Sequence, residues 1–115
     1  MKFLLVHKLD ESKPDAFNPS PELMAQMGEF VEETMKSGVL LAADGVLPSA
    51  TGARLRNSGG TQTVVDGPFT EAKEVIAGYA VIKVDSKDDA IALASRFASI
   101  VGDTEVEIRQ IAEWD

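Results

Sequence analysis

The chain contains a single histidine, His7, and it is the one side chain whose ordinary proton affinity suits transfer near neutral pH. In a polar setting His7 would instead be a hydrogen-bonded residue near a strand end. Asp66 stands directly before Gly67-Pro68. A carboxylate where a strand meets a stiff turn acts as a base, or holds a polar ligand, if it faces a cavity. The alternative is that it bonds the backbone amides of its own turn. His7 and Asp66 are the candidate catalytic pair. Glu71, Lys73 and Glu74 follow at once. On a helical turn Glu71 and Glu74 lie close, with Lys73 displaced around the axis, and such groups shift one another's proton affinity. Their structural alternative is a solvated charged turn. Arg54 and Arg56 share one face of a β-prone stretch. They suit a carboxylate or phosphate on a small ligand, or serve to deter edge pairing. Arg54, Glu71 and Lys73 are the candidate ligand-binding residues.

Several chemistries are excluded. With no cysteine there is no thiolate nucleophile, disulfide or zinc-thiolate site. One histidine among scattered carboxylates gives no metal-ligand pattern, and no phosphate loop, dinucleotide fingerprint or Ser-His-Asp arrangement is recognisable. The expectation is chemistry without a metal and without a nucleotide cofactor. Nineteen acidic against 11 basic residues give a net charge of −8. That field repels phosphate backbones and anionic lipid, so neither nucleic acid nor a membrane surface is an expected partner. The first apolar run, Phe3 to Val6, is too short for a leader or a span. These features predict a cytoplasmic protein.

The elements that must position these residues follow from periodicity. At 115 residues with 44% hydrophobic composition, the chain is one domain, 1–115, able to build a core. Residues 2–9 alternate as a strand with apolar side chains on both faces, which predicts a cover on each side. Residues 10–19 form a loop. Ser20 and Pro21 start a helix whose stripe runs Leu23, Met24, Met27, Phe30, Val31, Thr34, Met35, and Gly38 ends it. That Met-rich stripe is read as core packing. Residues 39–43 form a second strand. Residues 51–57 and 61–65, joined by Asn57-Ser58-Gly59-Gly60, form a hairpin. Residues 70–75 have room only for a short helical turn. Residues 78–84 form a strand, Ser86 caps a second helix that Gly102 ends, and residues 105–112 form the last strand. Without the hairpin the order is β-α-β-β-α-β, the ferredoxin-like plan of an α+β fold.

The run Val65-Asp66-Gly67-Pro68-Phe69-Thr70-Glu71-Ala72-Lys73-Glu74, continued by Ile76-Ala77-Gly78-Tyr79, resembles the signature of the YCII-related family in its DGPF-domain branch. Ser37 to Leu41, Leu47-Pro48-Ser49, Gly52 to Arg56 and Val106 to Gln110 extend the resemblance over nearly the whole chain. It implies a dimeric α/β-barrel, in which two ferredoxin-like sheets pack face to face around a space. It also implies two kinds of role. Some relatives are proposed enzymes with a His-Asp pair, for which His7 and Asp66 are the nearest equivalents here. Some DGPF proteins are associated with alternative sigma factors. The expected function is therefore a homodimer that binds a small organic molecule in or beside the barrel, with metal-independent acid–base catalysis as its chemistry. The alternative is a non-catalytic regulatory or protein-interaction module.

Overall fold

A computed structural model describes residues 1–114. Strand β1 (Lys2–Leu9) lies at the centre of a four-stranded antiparallel sheet of order β2-β5-β1-β6. Its neighbours are β5 (Val75–Lys83) and β6 (Glu105–Gln110), with β2 (Leu40–Gly45) outside β5. Because side chains alternate, Phe3, Leu5 and His7 share one face of β1. Opposite them stand Ile82, Ala80 and Gly78 on β5, and Gln110, Ile108 and Val106 on β6.

Helices α1 (Pro21–Lys36) and α2 (Lys87–Val101) cover that face. Ala90 and Ala94, one turn apart, are buried with Phe3, Leu5, Leu40 and Ile82; these six form the core. Small side chains on α2 let it approach the sheet closely. Ile82 is fully buried, and burying a side chain of that size contributes roughly 1.5–3 kcal/mol. The helix starts are as the sequence predicts. The Ser20 hydroxyl accepts from the Leu23 amide at 3.1 Å, and the Ser86 hydroxyl from the Asp89 amide at 3.1 Å. Gly38, at φ +81°, takes the left-handed backbone that ends α1.

The other sheet face carries Leu4, Val6, Tyr79 and Val81 with no helix over it. On it Lys8 bridges Glu107 at 2.7 Å, and Tyr79 donates to Asp44 at 2.8 Å. Strands β3 (Ala53–Ser58) and β4 (Thr61–Asp66) form a separate two-stranded sheet. Its two-residue turn, Gly59-Gly60, has both φ positive, the geometry that matches strand twist. Leu55 and Val64 face each other across it and are 62% and 63% exposed. Two helices and two antiparallel sheets make a mixed α+β fold, compatible with the ferredoxin-like plan with an inserted hairpin.

Three expectations are corrected. Residues 70–74 form turns and bends, not a helical turn. The cause is pairing: Leu9 with Val75 and Lys8 with Ile76 draw β5 back to residue 75, so too few residues remain for a helix. A single 3₁₀ turn, Ser49–Thr51, replaces the start expected for the hairpin. The Met stripe is divided. Met27 is half-buried, while Met24 and Met35 are exposed, because α1 meets the sheet along a narrower strip than its apolar residues span.

Candidate functional site

His7 is placed by β1 on the face beneath the helices. Its cross-strand neighbours are Gly78 and Val106, so one has no side chain and the other a short one. Just beyond, β5 bulges. His7 pairs with Gly78 but Lys8 pairs with Ile76, leaving Ala77 without a partner on β1. The Ala77 carbonyl turns instead to the Val46 amide at 2.9 Å. Bulges of this kind bend a strand and commonly flank sites. The result is a cavity of about 480 Å³ between sheet and helices, walled by Leu5, Phe17, Met27, Phe30 and Phe97 among others.

The His7 ring meets Phe97 edge-on, centroids 5.0 Å apart, and Phe30 meets Phe97 at 6.0 Å. Nε2 of His7 is sealed from solvent and has no hydrogen-bond partner among the described residues. Burial pushes the imidazole pKa below its ordinary value, so the ring is neutral at neutral pH. Thr34 also lies at the wall, but its hydroxyl already donates to the Phe30 carbonyl at 2.7 Å. Strands β2 and β5 bring Asp44 and Tyr79 to the cavity's edge, but their side chains lie on the open face of the sheet and bond each other there.

The remaining predicted residues sit elsewhere. Asp66 is the exposed last residue of β4, paired with Ala53, and does not line this cavity. His7 and Asp66 thus belong to different sheets. Arg54 lies 3.9 Å above the Phe69 ring and bridges Glu71 at 2.6 Å. The Glu71 carboxyl is held below its usual range by its own backbone amide and then by Arg54. Arg54 and Glu71 are therefore brought together, at the base of the hairpin. Lys73 is exposed beyond them. Glu74 lies near enough to Lys8 for its charge to favour the ammonium.

The Asp66-Gly67-Pro68-Phe69 turn has a structural logic of its own. Gly67 donates to the Gly52 carbonyl at 2.9 Å, and the Gly67–Pro68 peptide is cis. A Cβ on Gly67 would lie 1.7 Å from the Ser49 carbonyl oxygen, so only glycine fits. Ser49 is buried. Its hydroxyl accepts from the Phe69 amide at 2.9 Å and donates to Glu11, whose carboxylate also accepts from the Ser49 amide at 2.9 Å. Glu11 thereby ties the 10–19 loop, which carries Phe17 and Pro19 into the cavity wall, to the turn. Sequence reasoning missed this latch. Glu11 and Ser49 are 38 positions apart, and neither carries a local signal. Phe30 was legible as a stripe residue, but nothing local joined it, or Phe97 of α2, to His7.

An uncharacterised protein of Rhizobium meliloti (strain 1021) is similar at 29% identity over 106 residues, covering 90% of this chain and 86% of its own length. The family model described as the YCII-related domain matches residues 1–115. The chain therefore belongs to the YCII-related family.

Proposed function

We propose that this protein binds a small organic molecule in the cavity between its helices and its sheet, with His7 as the polar contact. The observation that carries this is the conjunction of about 480 Å³ of largely apolar space with a wall histidine whose imidazole makes no hydrogen bond among the described residues. Ligand sites are typically of this size and character, apolar with few polar groups. A neutral imidazole here is also suited to take a proton from the ligand and then return it, so acid–base chemistry on the ligand would run through His7 alone, without Asp66.

The resemblance of residues 65–74 to the DGPF branch supports a homodimer in which the open sheet face meets its counterpart. Leu4, Val6 and Val81 on that face, and the exposed Leu55 and Val64 of the hairpin, are the apolar surface such a contact would cover.

The binding reading is tested by a thermal-shift screen of small aromatic and alicyclic compounds against the wild type and Met27→Trp. Ligand at about a hundred times its Kd stabilises by about 2.7 kcal/mol. Hits should raise the melting temperature of the wild type and not of Met27→Trp, whose indole fills the cavity. Hits that stabilise both equally would place binding elsewhere.

A further inference from the structure

Resting on the cavity reading, we infer that the ligand is an uncharged molecule of two or three rings bearing one hydroxyl, which hydrogen-bonds His7. Size comes first. An apolar cavity of about 150 Å³ holds one benzene, and this one is about three times larger. Charge comes next. The groups packed on His7 from each side are Gly78 of β5, Val106 of β6 and Phe97 of α2, none of them ionisable. Leu5, Met27 and Phe30 add only hydrocarbon and sulfur to the wall. The chain as a whole carries −8. An anion would shed its water against apolar walls and inside a negative field, with no resident cation to meet it. A cation would find no carboxylate beneath the helices among the described residues, since the Asp44 side chain lies on the open face of the sheet with Tyr79.

The polar demand is single. Neither nitrogen of the His7 imidazole makes a hydrogen bond among the described residues; Nε2 is sealed, so Nδ1 is the one a ligand can reach, and the tautomer decides whether it donates or accepts. A hydroxyl answers either tautomer, because it is donor and acceptor at once. An ether or ketone answers only one of the two. The aromatic edges of Phe30 and Phe97 favour flat rings over flexible chains, which would also lose more conformational freedom on entry.

Three probes of one shape separate the possibilities: 2-naphthol, naphthalene and 2-naphthoate, titrated at pH 7.5 by calorimetry. The wild type should bind 2-naphthol about tenfold more tightly than naphthalene, and 2-naphthoate most weakly. In His7→Phe and His7→Leu the naphthalene affinity should persist while the preference for 2-naphthol vanishes. His7 is the only histidine, so its imidazole ¹⁵N signals are unambiguous in the unmodified protein. 2-Naphthol should shift them and naphthalene should leave them nearly in place. Tightest binding of 2-naphthoate, or equal binding of 2-naphthol and naphthalene with unmoved imidazole signals, overturns this ligand class while leaving the cavity reading intact. Failure of all three probes to bind rejects the cavity reading, and the ligand class with it.

Discussion

At the scale of single residues, His7 and Gly67 carry the most consequence. Burial lowers the His7 pKa, so the folded chain takes up that proton at lower pH than the unfolded chain does. Between the folded value and the unfolded value of about 6.5, the unfolded state binds more protons. Stability should therefore fall as pH drops below about 6.5, with the loss complete below the folded pKa, and His7 should contribute no slope above that window. Urea unfolding at successive pH values tests this, with His7→Phe expected to flatten that part of the profile. An unchanged slope in His7→Phe would assign it to carboxylates instead. Gly67 is constrained by contact. Gly67→Ala forces a methyl into the Ser49 carbonyl and should cost about 3 kcal/mol by denaturant unfolding. Its neighbour is the contrast. Asp66 is exposed and outside the cavity, so Asp66→Asn should stay within about 0.5 kcal/mol and leave ligand binding unchanged.

At the scale of elements, the 10–19 loop is held in place by a contact far away in sequence. Ser49→Ala removes a donor to Glu11 and the acceptor of the Phe69 amide together. With those groups left unpaired, the expected cost is about 1–3 kcal/mol. Hydrogen exchange should speed up at the Phe69 amide and through the loop, while the amides of β1 and β5 stay protected. Because the loop supplies Phe17 and Pro19 to the wall, affinity for any cavity ligand should drop as well. Ser86→Ala serves as a control. It removes an N-cap on α2, costs about 1 kcal/mol, and should leave the loop's exchange unaltered.

At the scale of the whole molecule, shape is informative. The extents are 45 × 43 × 19 Å and the radius of gyration is 15.9 Å, whereas a domain of this length packed to ordinary compactness has about 13 Å. One helix layer on one sheet, with a hairpin standing apart, produces that thinness. A two-stranded hairpin is at best marginal alone in water, and this one exposes Leu55 and Val64. Light scattering at micromolar concentration should give about twice the 12.3 kDa chain mass. Val6→Asp, on the open face, should shift the mass towards the monomer without changing the helix content seen by circular dichroism. A wild-type monomer of full stability would sink the dimer proposal. Among the described residues, no helix is long and apolar enough to cross a membrane.

What the sequence determined by itself was the set of elements and their order, because periodicity, caps and turn residues act over a few positions. Ser20, Ser86, Gly38 and Gly59-Gly60 each settle a local backbone choice that needs no distant partner. The family was legible for the same reason: residues 65–74 are a contiguous run. Boundaries at 40, 75 and 110 shifted because strand ends are decided by pairing, and pairing partners lie elsewhere in the chain. The site was decided only by tertiary structure. Whether His7 met solvent, a carboxylate or an aromatic wall depended on which face of β1 the helices covered, and both faces were apolar enough for either outcome. The bulge at Ala77 and the latch between Glu11 and Ser49 then set the size of the space around it. Asp66, prominent in the motif, was carried away from His7 because its strand pairs in a different sheet. Charge and residue type are properties of the chain, but the convergence of side chains is a property of the packing.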